Sequence, residues 1–343
     1  MIVVRAPLRI SFVGGGTDLP DFYHRHPGRV ISTAIDKYVY VVVNRTPLID
    51  KVSARYSISE TVAHPSELQH TRIKAALVDM GIHKNIEIAS FATLPAKTGL
   101  GSSSSFSVAL VKALHAFQGK KVGTHEAARA AARLEIELCK EPIGPQDQYA
   151  AAFGGMNVIE FNQNDTVHVR PVLIDYQKKS ALEDAMLVFF TGITRNASSV
   201  LTEQRKNIMD AKKFETMKAM AAMVPEFEVK LLAGDFKGMG QMLHEGWLKK
   251  KSLTTTTSSS TIDDYYQAGI DNGAWGGKIL GAGGGGCVMF FAPREAHAKI
   301  RAAVTTVAAK HHLDEFKELP VRLVQSGAEV LFNGDHFEET HFA

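Results

Sequence analysis

A glycine- and serine-rich stretch stands directly before a predicted helix near the middle of the sequence. Residues 94–117 read LPAKTGLGSSSSFSVALVKALHAF, with apolar residues at helical spacing over roughly Phe106–Phe117. Gly99 and Gly101 permit a tight turn, and the first N–H groups of a helix attract anions because they lack partners within it. Serine hydroxyls add donors for phosphate oxygens, and one can also be a ligand of a phosphate-bound Mg²⁺. The stretch therefore fits a phosphate loop, although an ordinary helix cap has the same composition.

Two other glycine-rich segments, 14–18 and 281–286, compete for a phosphate-binding role. Gly281, Gly283 and Gly286 match G-x-G-x-x-G, but a dinucleotide fingerprint leaves a strand and enters a helix. Here CVMFF follows Gly286 and predicts a strand. This context excludes the dinucleotide interpretation. The sequence also lacks G-x-x-x-x-G-K-[ST], so it does not indicate a Walker-type NTPase.

The elements that must position these segments alternate between strand and helix in the first half. IVVRAPLRISFV, RVISTAI, YVYVVVNR and NIEIASF are rich in β-branched and aromatic residues and predict strands. A second helix is expected over roughly Thr124–Cys139, with Thr124 as its cap. A new strand, AMLVFFTG, indicates a domain boundary near Asp175–Ala185.

The second half is predicted to be mostly helical. Helical sequence is expected from near Ala197 to about Lys251, and the low-complexity stretch Ser252–Thr261 is expected to be a mobile loop. A short helix, a helix near Arg294–His311 and a strand VRLVQSGAEVLF follow. The basic run 249–251 is interpreted as a solvated helix face.

Composition excludes several classes of function. Across 343 residues, Lys and Arg total 39 against 36 acidic residues, a net charge of +3 that is too balanced for binding nucleic acid or an anionic membrane. Cys139 and Cys287 are the only cysteines, too few for a disulfide framework. With no signal peptide or membrane span, a reduced, soluble, cytoplasmic protein with a small-molecule substrate is expected. A homo-oligomer is possible but not indicated.

Three motifs occurring together decide the role of the serine stretch. APLRISFVGGGTD, LPAKTGLGSSSS and GAGGGGCVMFF, in this order and spacing, resemble the three motifs of the GHMP small-molecule kinases. The resemblance implies an α+β two-domain fold. A ribosomal-S5-like α/β domain (1–180) would be followed by a ferredoxin-like α+β domain (181–343), with the active site in the cleft between them. It implies ATP and Mg²⁺ as cofactors. The implied ATP-binding residues are Lys97, Gly99, Leu100, Gly101, Ser102, Ser103 and Ser104.

The same resemblance assigns the catalytic positions. It places Asp147, in the turn IGPQDQY, at the accepting hydroxyl and Arg9 beside it; Arg5 is expected to be a surface residue of an edge strand. Ser103 and Glu135 fall at the magnesium-ligand positions, with Glu137 as the competitor. Phosphoryl transfer needs a metal to neutralise phosphate charge and a group that orients or deprotonates the nucleophile. Whether Asp147 takes the proton or only orients the hydroxyl stays open.

The first motif narrows the substrate. GGTD replaces the Gly-Glu-His-x-Asp of galactokinases, and the form APLRISFVGGGTDLPDFY resembles the D-glycero-D-manno-heptose 7-phosphate kinase subgroup. This resemblance implies phosphorylation of the anomeric C1 hydroxyl to the 1,7-bisphosphate, for nucleotide-activated heptose and surface polysaccharide. The implied substrate-binding residues are Gly16, Thr17, Asp18, Arg195, Gly283 and Gly284.

Several alternatives remain at this level. The cation for a distal phosphate is Arg195, Lys250 or Arg29, and His244 and Trp247 either reach the sugar or only pack. An L-fucokinase-type monosaccharide 1-kinase is the nearest rival activity. A non-catalytic binding protein of the same fold is the rival from another class.

Overall fold

A computed structural model describes residues 1–194 and 197–334, and two β-sheets form its framework. The first sheet has eight strands in this part of the chain. They are β1 (Ile2–Val13), β2 (Gly28–Arg45), β3 (Val52–Arg55), β4 (Ser59–Val62), β5 (Ile86–Ala92), β6 (Met156–Phe161), β7 (Val167–Pro171) and β12 (Glu329–Asn333). Their order is β12-β1-β2-β5-β3-β4, and β6 pairs with both β2 and β7. The pairing of β3 with β5 is parallel and the others are antiparallel.

Strand β1 lies at the centre of the molecule. Every residue from Ala6 to Val13 is buried, because helices pack against both faces of the sheet at this point. Arg9 and Ser11 are the polar residues of this buried stretch. A buried arginine needs a charged partner, so an acidic group is expected beside the strand.

The helices of the first half lie at Pro20–Tyr23 (α1), Thr71–Asp79 (α2), Ser102–Phe117 (α3), Thr124–Arg133 (α4) and Gln146–Phe153 (α5). A 3₁₀ turn spans Pro65–Glu67, and a π-helical turn spans Leu134–Leu138 directly after α4. Helix α3 crosses β1 and β2 and buries an apolar face that includes Val108, Leu110 and Leu114. The start of α3 is thereby fixed against the sheet.

The second sheet has the order β11-β8-β10-β9 and carries the remaining helices. Its strands are β8 (Met186–Phe190), β9 (Gly276–Ile279), β10 (Cys287–Phe291) and β11 (Lys317–Glu318). The helices are α6 (Tyr176–Ala185), α7 (Ala197–Asn207), α8 (Ala211–Ala233), α9 (Phe236–Leu253), α10 (Ser260–Asp271) and α11 (His297–Lys310), with a 3₁₀ turn at Arg294–Ala296. Phe189, Trp247, Tyr265 and Phe290 form the centre of a separate apolar core.

The two sheets are joined in several ways. Phe12 of β1 stacks on Phe227 of α8 and meets Phe291 of β10 edge-on. The strand β12 leaves the second half and pairs with β1 of the first sheet. The domain boundary near residue 180 stays a prediction. Residues 329–333 lie beyond it in the sequence but belong to the first sheet, so the first sheet is not built from residues 1–180 alone. No helix in the two described ranges is long and apolar enough to cross a bilayer.

Some predicted boundaries were wrong. Helix α3 begins at Ser102, four residues before the expected start, so the serines lie inside the helix. Thr124 is the first residue of α4 rather than its cap, and Gly123 holds the cap position without a side-chain hydrogen bond. The segment RVISTAI…NR is one strand, β2. The expected strand VRLVQSGAEVLF is ordered as a strand only from Glu329.

The low-complexity segment is held at several points. Ser252 and Leu253 end α9, and the hydroxyl groups of Thr255 and Thr256 donate to Glu203 of α7. Thr257 is buried and accepts a hydrogen bond from the amide of Gly284 at 2.8 Å. The loop is therefore fastened to both α7 and the third motif.

Candidate active site

A cavity of about 750 Å³ lies where the two sheets meet. Its walls come from β1, the turn after β1, the start of α3, the π-helical turn, the start of α5, α7, α9 and the third glycine-rich motif. The three motifs noted in the sequence lie at residues 6–18, 94–105 and 281–291, and the fold brings them to this one cavity.

The phosphate loop has the geometry that an anion site needs. Gly101 takes a φ of +80° as the N-cap of α3, and no side chain caps the helix. Ser102, Ser103 and Ser104 line the cavity, and they form the first turn of α3, whose amides lack partners within the helix. A bound phosphate would therefore meet the positive end of a 16-residue helix.

The serines divide into two kinds. Ser104 donates its hydroxyl to Glu135 Oε2 at 2.8 Å, and Ser105 donates to the carbonyl of Pro7 at 2.7 Å. Both are buried. Ser103 is exposed on the cavity wall. Ser103 is thus well placed for a ligand, whereas Ser105 holds the helix against β1.

The third motif supports the phosphate loop from behind. The amide of Cys287 donates to the carbonyl of Thr98 at 2.9 Å. A Cβ on Gly99 would stand 2.5 Å from the carbonyl oxygen of Leu280, and both Gly99 and Gly281 have positive φ. Glycine is needed at both positions because two backbones cross there. Gly283 lines the cavity, while Gly284 is held by Thr257.

Asp147 and Arg9 form a bidentate ion pair on the cavity wall. Arg9 Nε donates to Asp147 Oδ1 at 2.7 Å and Nη2 donates to Oδ2 at 2.6 Å. The third nitrogen, Nη1, donates to the carbonyl of Gly99 at 2.7 Å. Arg9 therefore ties the phosphate loop to the carboxylate. The Asp147 side chain keeps 22% of its surface exposed, against 5% for Arg9.

Glu135 is fully buried and has three donors. Arg72 Nε donates to Oε1 at 2.8 Å, and Ser104 Oγ and Gln148 Nε2 both donate to Oε2. Arg72 also reaches Glu141 at 3.1 Å. The π-helical turn that carries Glu135 widens the helix here and directs the carboxylate toward α2 and α3.

The donor set around Glu135 fits Mg²⁺ in type. Mg²⁺ prefers hard oxygen ligands and is commonly held by one or two carboxylates together with substrate phosphates. The described residues contain no group of three or more His, Cys, Asp or Glu side chains that could hold a metal ion. A metal here would therefore depend on Glu135, a serine hydroxyl and the phosphates themselves. Glu135 Oε1 still has a lone pair beyond its bond to Arg72.

Asp18 lies in the turn after β1 and is buried. Its oxygens accept hydrogen bonds from the amides of Gly16 (3.2 Å) and Gln146 (3.3 Å) and from Gln146 Nε2 (2.9 Å). Burial, and then the charge of Asp147, raise the pKa of Asp18 to about 6. A Cβ on Gly144 would stand 2.3 Å from Asp18, so this glycine permits the close approach.

Two lysines of the second half enter the same site. Lys250 of α9 donates to the carbonyl of Gly281, and Lys278 of β9 donates to the carbonyls of Ser11 (2.9 Å) and Phe12 (2.8 Å). Both are buried. Burial, and then the charge of Arg9, lower the pKa of Lys250 to about 8; burial also lowers that of Lys278 well below its usual value. The interpretation of 249–251 as a solvated face was wrong for Lys250.

Other sequence candidates have different surroundings. The Thr17 hydroxyl is buried and bonds to the carbonyls of Gly14 and Arg29, so it builds the turn and does not face the cavity. Glu137 is 68% exposed and lies 3.8 Å from Arg133, which favours Glu135 as the metal ligand. Arg5 pairs with Glu329 at the surface. Arg195 lies outside the described residues.

Three residues considered for contact with the sugar or its phosphate lie away from the cavity. Arg29 pairs with Glu160 at 2.8 Å and is not part of the cavity wall. His244 bonds to the Tyr266 hydroxyl at 2.7 Å and Trp247 is buried, so these two residues pack in the second core.

Four residues of the site were not predicted from the sequence. Arg72, Gln146 and Lys278 were not singled out, although Gln146 stands next to Asp147. Gln204 of α7 lines the cavity while 3% exposed, and among the described residues its amide nitrogen makes only a 4.0 Å contact to Met217 Sδ. It approaches the turn because Gly16 has no side chain: a Cβ there would stand 2.4 Å from Gln204 Nε2.

The far end of the cavity is apolar and aromatic. Tyr56, His70, Leu94 and Phe106 line it, with the His70 ring 4.6 Å from that of Tyr56 and 5.1 Å from that of Phe106. Burial lowers the pKa of His70 and so favours its neutral form. The cavity thus has an apolar, aromatic end, a middle lined by the start of α3 and a polar end near Asp18.

This arrangement agrees with comparisons to known proteins. Residues 68–155 match the model of the GHMP kinases N-terminal domain, and residues 227–310 match that of the GHMP kinases C-terminal domain. A D-glycero-alpha-D-manno-heptose 7-phosphate kinase from Campylobacter jejuni subsp. jejuni serotype O:2 is 30% identical over 84% of this chain and 89% of that protein. The chain therefore belongs to the GHMP kinase family and is an ATP-dependent kinase.

Particular relatives include other sugar kinases. The crystal structure of a D-glycero-D-manno-heptose 1-phosphate kinase from Bacteroides thetaiotaomicron superposes with a TM-score of 0.79 at 25% identity, covering 97% of this chain and 99% of that one. An L-fucokinase/L-fucose-1-P guanylyltransferase of Bacteroides fragilis is 23% identical over 87% of this chain and 35% of that protein.

Proposed function

We propose that the protein transfers the γ-phosphoryl group of ATP to the anomeric C1 hydroxyl of D-glycero-D-manno-heptose 7-phosphate. The product is the 1,7-bisphosphate, on the route to nucleotide-activated heptose and surface polysaccharide, and we place the reaction in the cytoplasm. The single observation that carries the chemistry is the Arg9–Asp147 pair beside the start of α3. The relative at 30% identity supports the choice of sugar.

Asp147 is proposed to receive the acceptor hydroxyl. Arg9 occupies one side of the carboxylate, and the exposed part of Asp147 faces the cavity. The bidentate guanidinium fixes the orientation of the carboxylate, whose remaining lone pairs can accept a proton from an alcohol or orient it. Because Arg9 also holds Gly99, the carboxylate and the phosphate loop keep a fixed separation.

Mg²⁺ is proposed to be held by Glu135 and Ser103 and would neutralise charge on the β- and γ-phosphate oxygens. Arg72 shares Glu135 and Glu141 and keeps the buried carboxylate compensated. The amides of Ser102–Ser104 are proposed to bind the polyphosphate, with Lys97 at the mouth of the loop.

The sugar is proposed to bind at the polar end, between the turn Gly16–Asp18 and α7. Asp18 accepts hydrogen bonds from hydroxyls, Gly283 shapes the opposite wall, and the Gln204 amide offers a neutral donor and acceptor. Of the three cations considered for the distal phosphate, Arg29 is paired elsewhere. Arg195, which lies outside the described residues, is the proposed partner.

A panel of acceptors tests the proposal. The two heptose kinase relatives are named for different phosphorylated heptoses, so the panel contains the 7-phosphate, the 1-phosphate, the free heptose and L-fucose, with ADP release as the signal. We expect the highest kcat/KM with the 7-phosphate. Faster turnover of free L-fucose would instead support a fucokinase.

The variant Arg195→Ala, measured with the same acceptors, tests whether Arg195 binds the distal phosphate. We expect it to raise KM for the 7-phosphate roughly tenfold or more while leaving the KM for free heptose unchanged, since only the phosphorylated sugar uses that cation. An equal effect on both sugars would contradict this role.

A further inference from the structure

Lys250 is a cation of the second half that reaches the reacting groups of the first. It stands on the last turns of α9 and lines the cavity while only 6% exposed. The groups whose charges act on it are Arg9 from β1, Asp18 from the turn after β1, and Asp147 from α5; Lys278 of β9 is a further cation nearby. Lys250 therefore belongs to the same cluster as the Arg9–Asp147 pair.

The three buried cations of this cluster differ in how their charge and their donors are used. Arg9 uses three of its five N–H donors on Asp147 and Gly99, and the Asp147 carboxylate neutralises its charge. Lys278 bonds to two carbonyls of β1. Lys250 has a single hydrogen bond within the described residues, to the carbonyl of Gly281. An ammonium group carries three donors, so Lys250 has two available to a ligand.

The position also argues against a role at the far phosphate of the sugar. Asp147 marks the end of the cavity where the acceptor hydroxyl is proposed to react. Lys250 bonds to the carbonyl of Gly281, which lies against Gly99, and Gly99 is held by the same Arg9 that pairs with Asp147. A phosphate at C7 is at the opposite end of the sugar from C1, so this position places Lys250 close to the transferring group instead.

We propose that the Lys250 ammonium contacts the transferring phosphoryl group and stabilises the negative charge on its equatorial oxygens. In this step the acceptor oxygen bonds to the γ-phosphorus as the bond between that phosphorus and the β–γ bridging oxygen breaks. The acceptor proton passes to Asp147 or onward to solvent, and ADP leaves with the bridging oxygen. Lys250 stays protonated throughout and acts by its charge. The proposal rests on kinase activity and not on the identity of the sugar.

The test compares Lys250→Met with Lys249→Met. Lys249 is on the same helix, pairs with Glu245 at 2.9 Å and lies outside the cavity wall, so it is a matched control. Each variant is measured with whichever acceptor the wild type phosphorylates, by kcat, KM and calorimetric ADP binding. For Lys250→Met we expect kcat to fall on the order of 10²-fold or more, with ADP affinity within about threefold of wild type. Lys249→Met should match the wild type.

The melting temperature separates this role from a purely structural one. If Lys250 only supported the fold, its replacement would lower the melting temperature. Burying an ammonium costs free energy, so Lys250→Met should melt at or above the wild-type temperature. Lys250→Gln serves as the second variant if the methionine lowers solubility. Lys250→Arg keeps the charge and should recover part of kcat.

The pH profile gives an independent signature. The Lys250 pKa of about 8 means that the ammonium loses its proton as pH rises through that value. The wild-type kcat should therefore decline above about pH 8, and Lys250→Met should lack this decline.

Three outcomes would overturn the proposal: an unchanged kcat in Lys250→Met, a loss of kcat together with a lower melting temperature in every Lys250 variant, or a rise in KM confined to phosphorylated sugars. The last would place Lys250 at the distal phosphate. Failure of the heptose assignment would appear separately, as wild-type preference for another sugar in the acceptor panel.

Discussion

Two arginine–carboxylate pairs in this site are built alike but differ in how much of the carboxylate remains available. Arg9 holds Asp147 through two bonds and Arg72 holds Glu135 through one. Asp147 has further bonding capacity toward the cavity. Glu135 is completely buried and accepts additional bonds from Ser104 and Gln148.

The difference indicates separate tasks for two chemically similar groups. An open carboxylate, oriented by a rigid guanidinium, can meet a substrate without rearrangement of the protein. A carboxylate with three donors is fixed in place, and its charge is set by the protein before any ligand arrives. The first pair is therefore suited to reacting with an alcohol, and the second to anchoring α2, α3 and α5 around a cation site.

Removing the charge of the open carboxylate should have the largest effect. Asp147→Asn replaces an acceptor by an NH₂ group that faces Arg9, so both the proton-accepting group and its orientation are lost. We expect kcat to fall by about 10²- to 10⁴-fold, with ADP binding retained, in assays of ADP release and calorimetry. An unchanged kcat would refute the role of Asp147.

Removing the charge of the buried carboxylate should instead affect stability first. Glu135→Gln leaves Arg72 partly uncompensated in a buried setting, which we expect to lower the free energy of unfolding by about 3 kcal/mol. Denaturant unfolding measures this. Glu137→Gln, on the neighbouring exposed position, is the control and should be neutral. If Glu135→Gln and Glu137→Gln were equally stable, the Arg72–Glu135 pair would not have the structural role that distinguishes it from Arg9–Asp147.

Asp18, which lies beside Asp147, should make both stability and sugar binding depend on pH. Its pKa is raised to about 6, so the protein is stabilised by its protonated form below the unfolded pKa, and this stabilisation is lost as pH rises through 6. Ionised Asp18 is the better acceptor for sugar hydroxyls, so KM for the sugar should fall over the same rise in pH. Asp18→Asn should flatten both profiles, and a profile that persists in this variant would assign the titration to another group.

Gln204 should give the smallest effect. Within the described part of the chain its amide nitrogen has only a long contact to sulfur, so replacing Gln204 by leucine should cost little stability. Gln204→Leu should raise KM for the sugar by roughly five- to fiftyfold and change kcat little. Steady-state kinetics at saturating ATP tests this, and an unaltered KM would exclude Gln204 from the sugar site.

The parts of the site that sequence predicted are those written in short continuous motifs. Gly99 and Gly101 form a tight turn whose geometry follows from local backbone properties, and the serines occupy the first turn of α3. Thr17 shows the limit of this reasoning, since a motif residue can build the turn instead of facing the ligand.

The parts that sequence did not predict depend on distant contacts. Arg72 meets Glu135 across 63 positions, and Lys278 meets Ser11 across 267. Nothing local distinguishes Lys250 from Lys249 and Lys251, because all three stand on one polar helix segment. Only the packing of α9 against the third motif buries the middle lysine, and this depends on the tertiary fold.

The late pairing of β12 with β1 has a consequence for how the protein is made. Strand β1 is synthesised before the other strands of its sheet, yet its outer neighbour, Glu329–Asn333, follows more than 300 residues later. Until then one margin of the first sheet carries unpaired backbone groups that invite wrong partners. The time taken to synthesise the second half therefore sets how long this nascent edge stays open to mispairing.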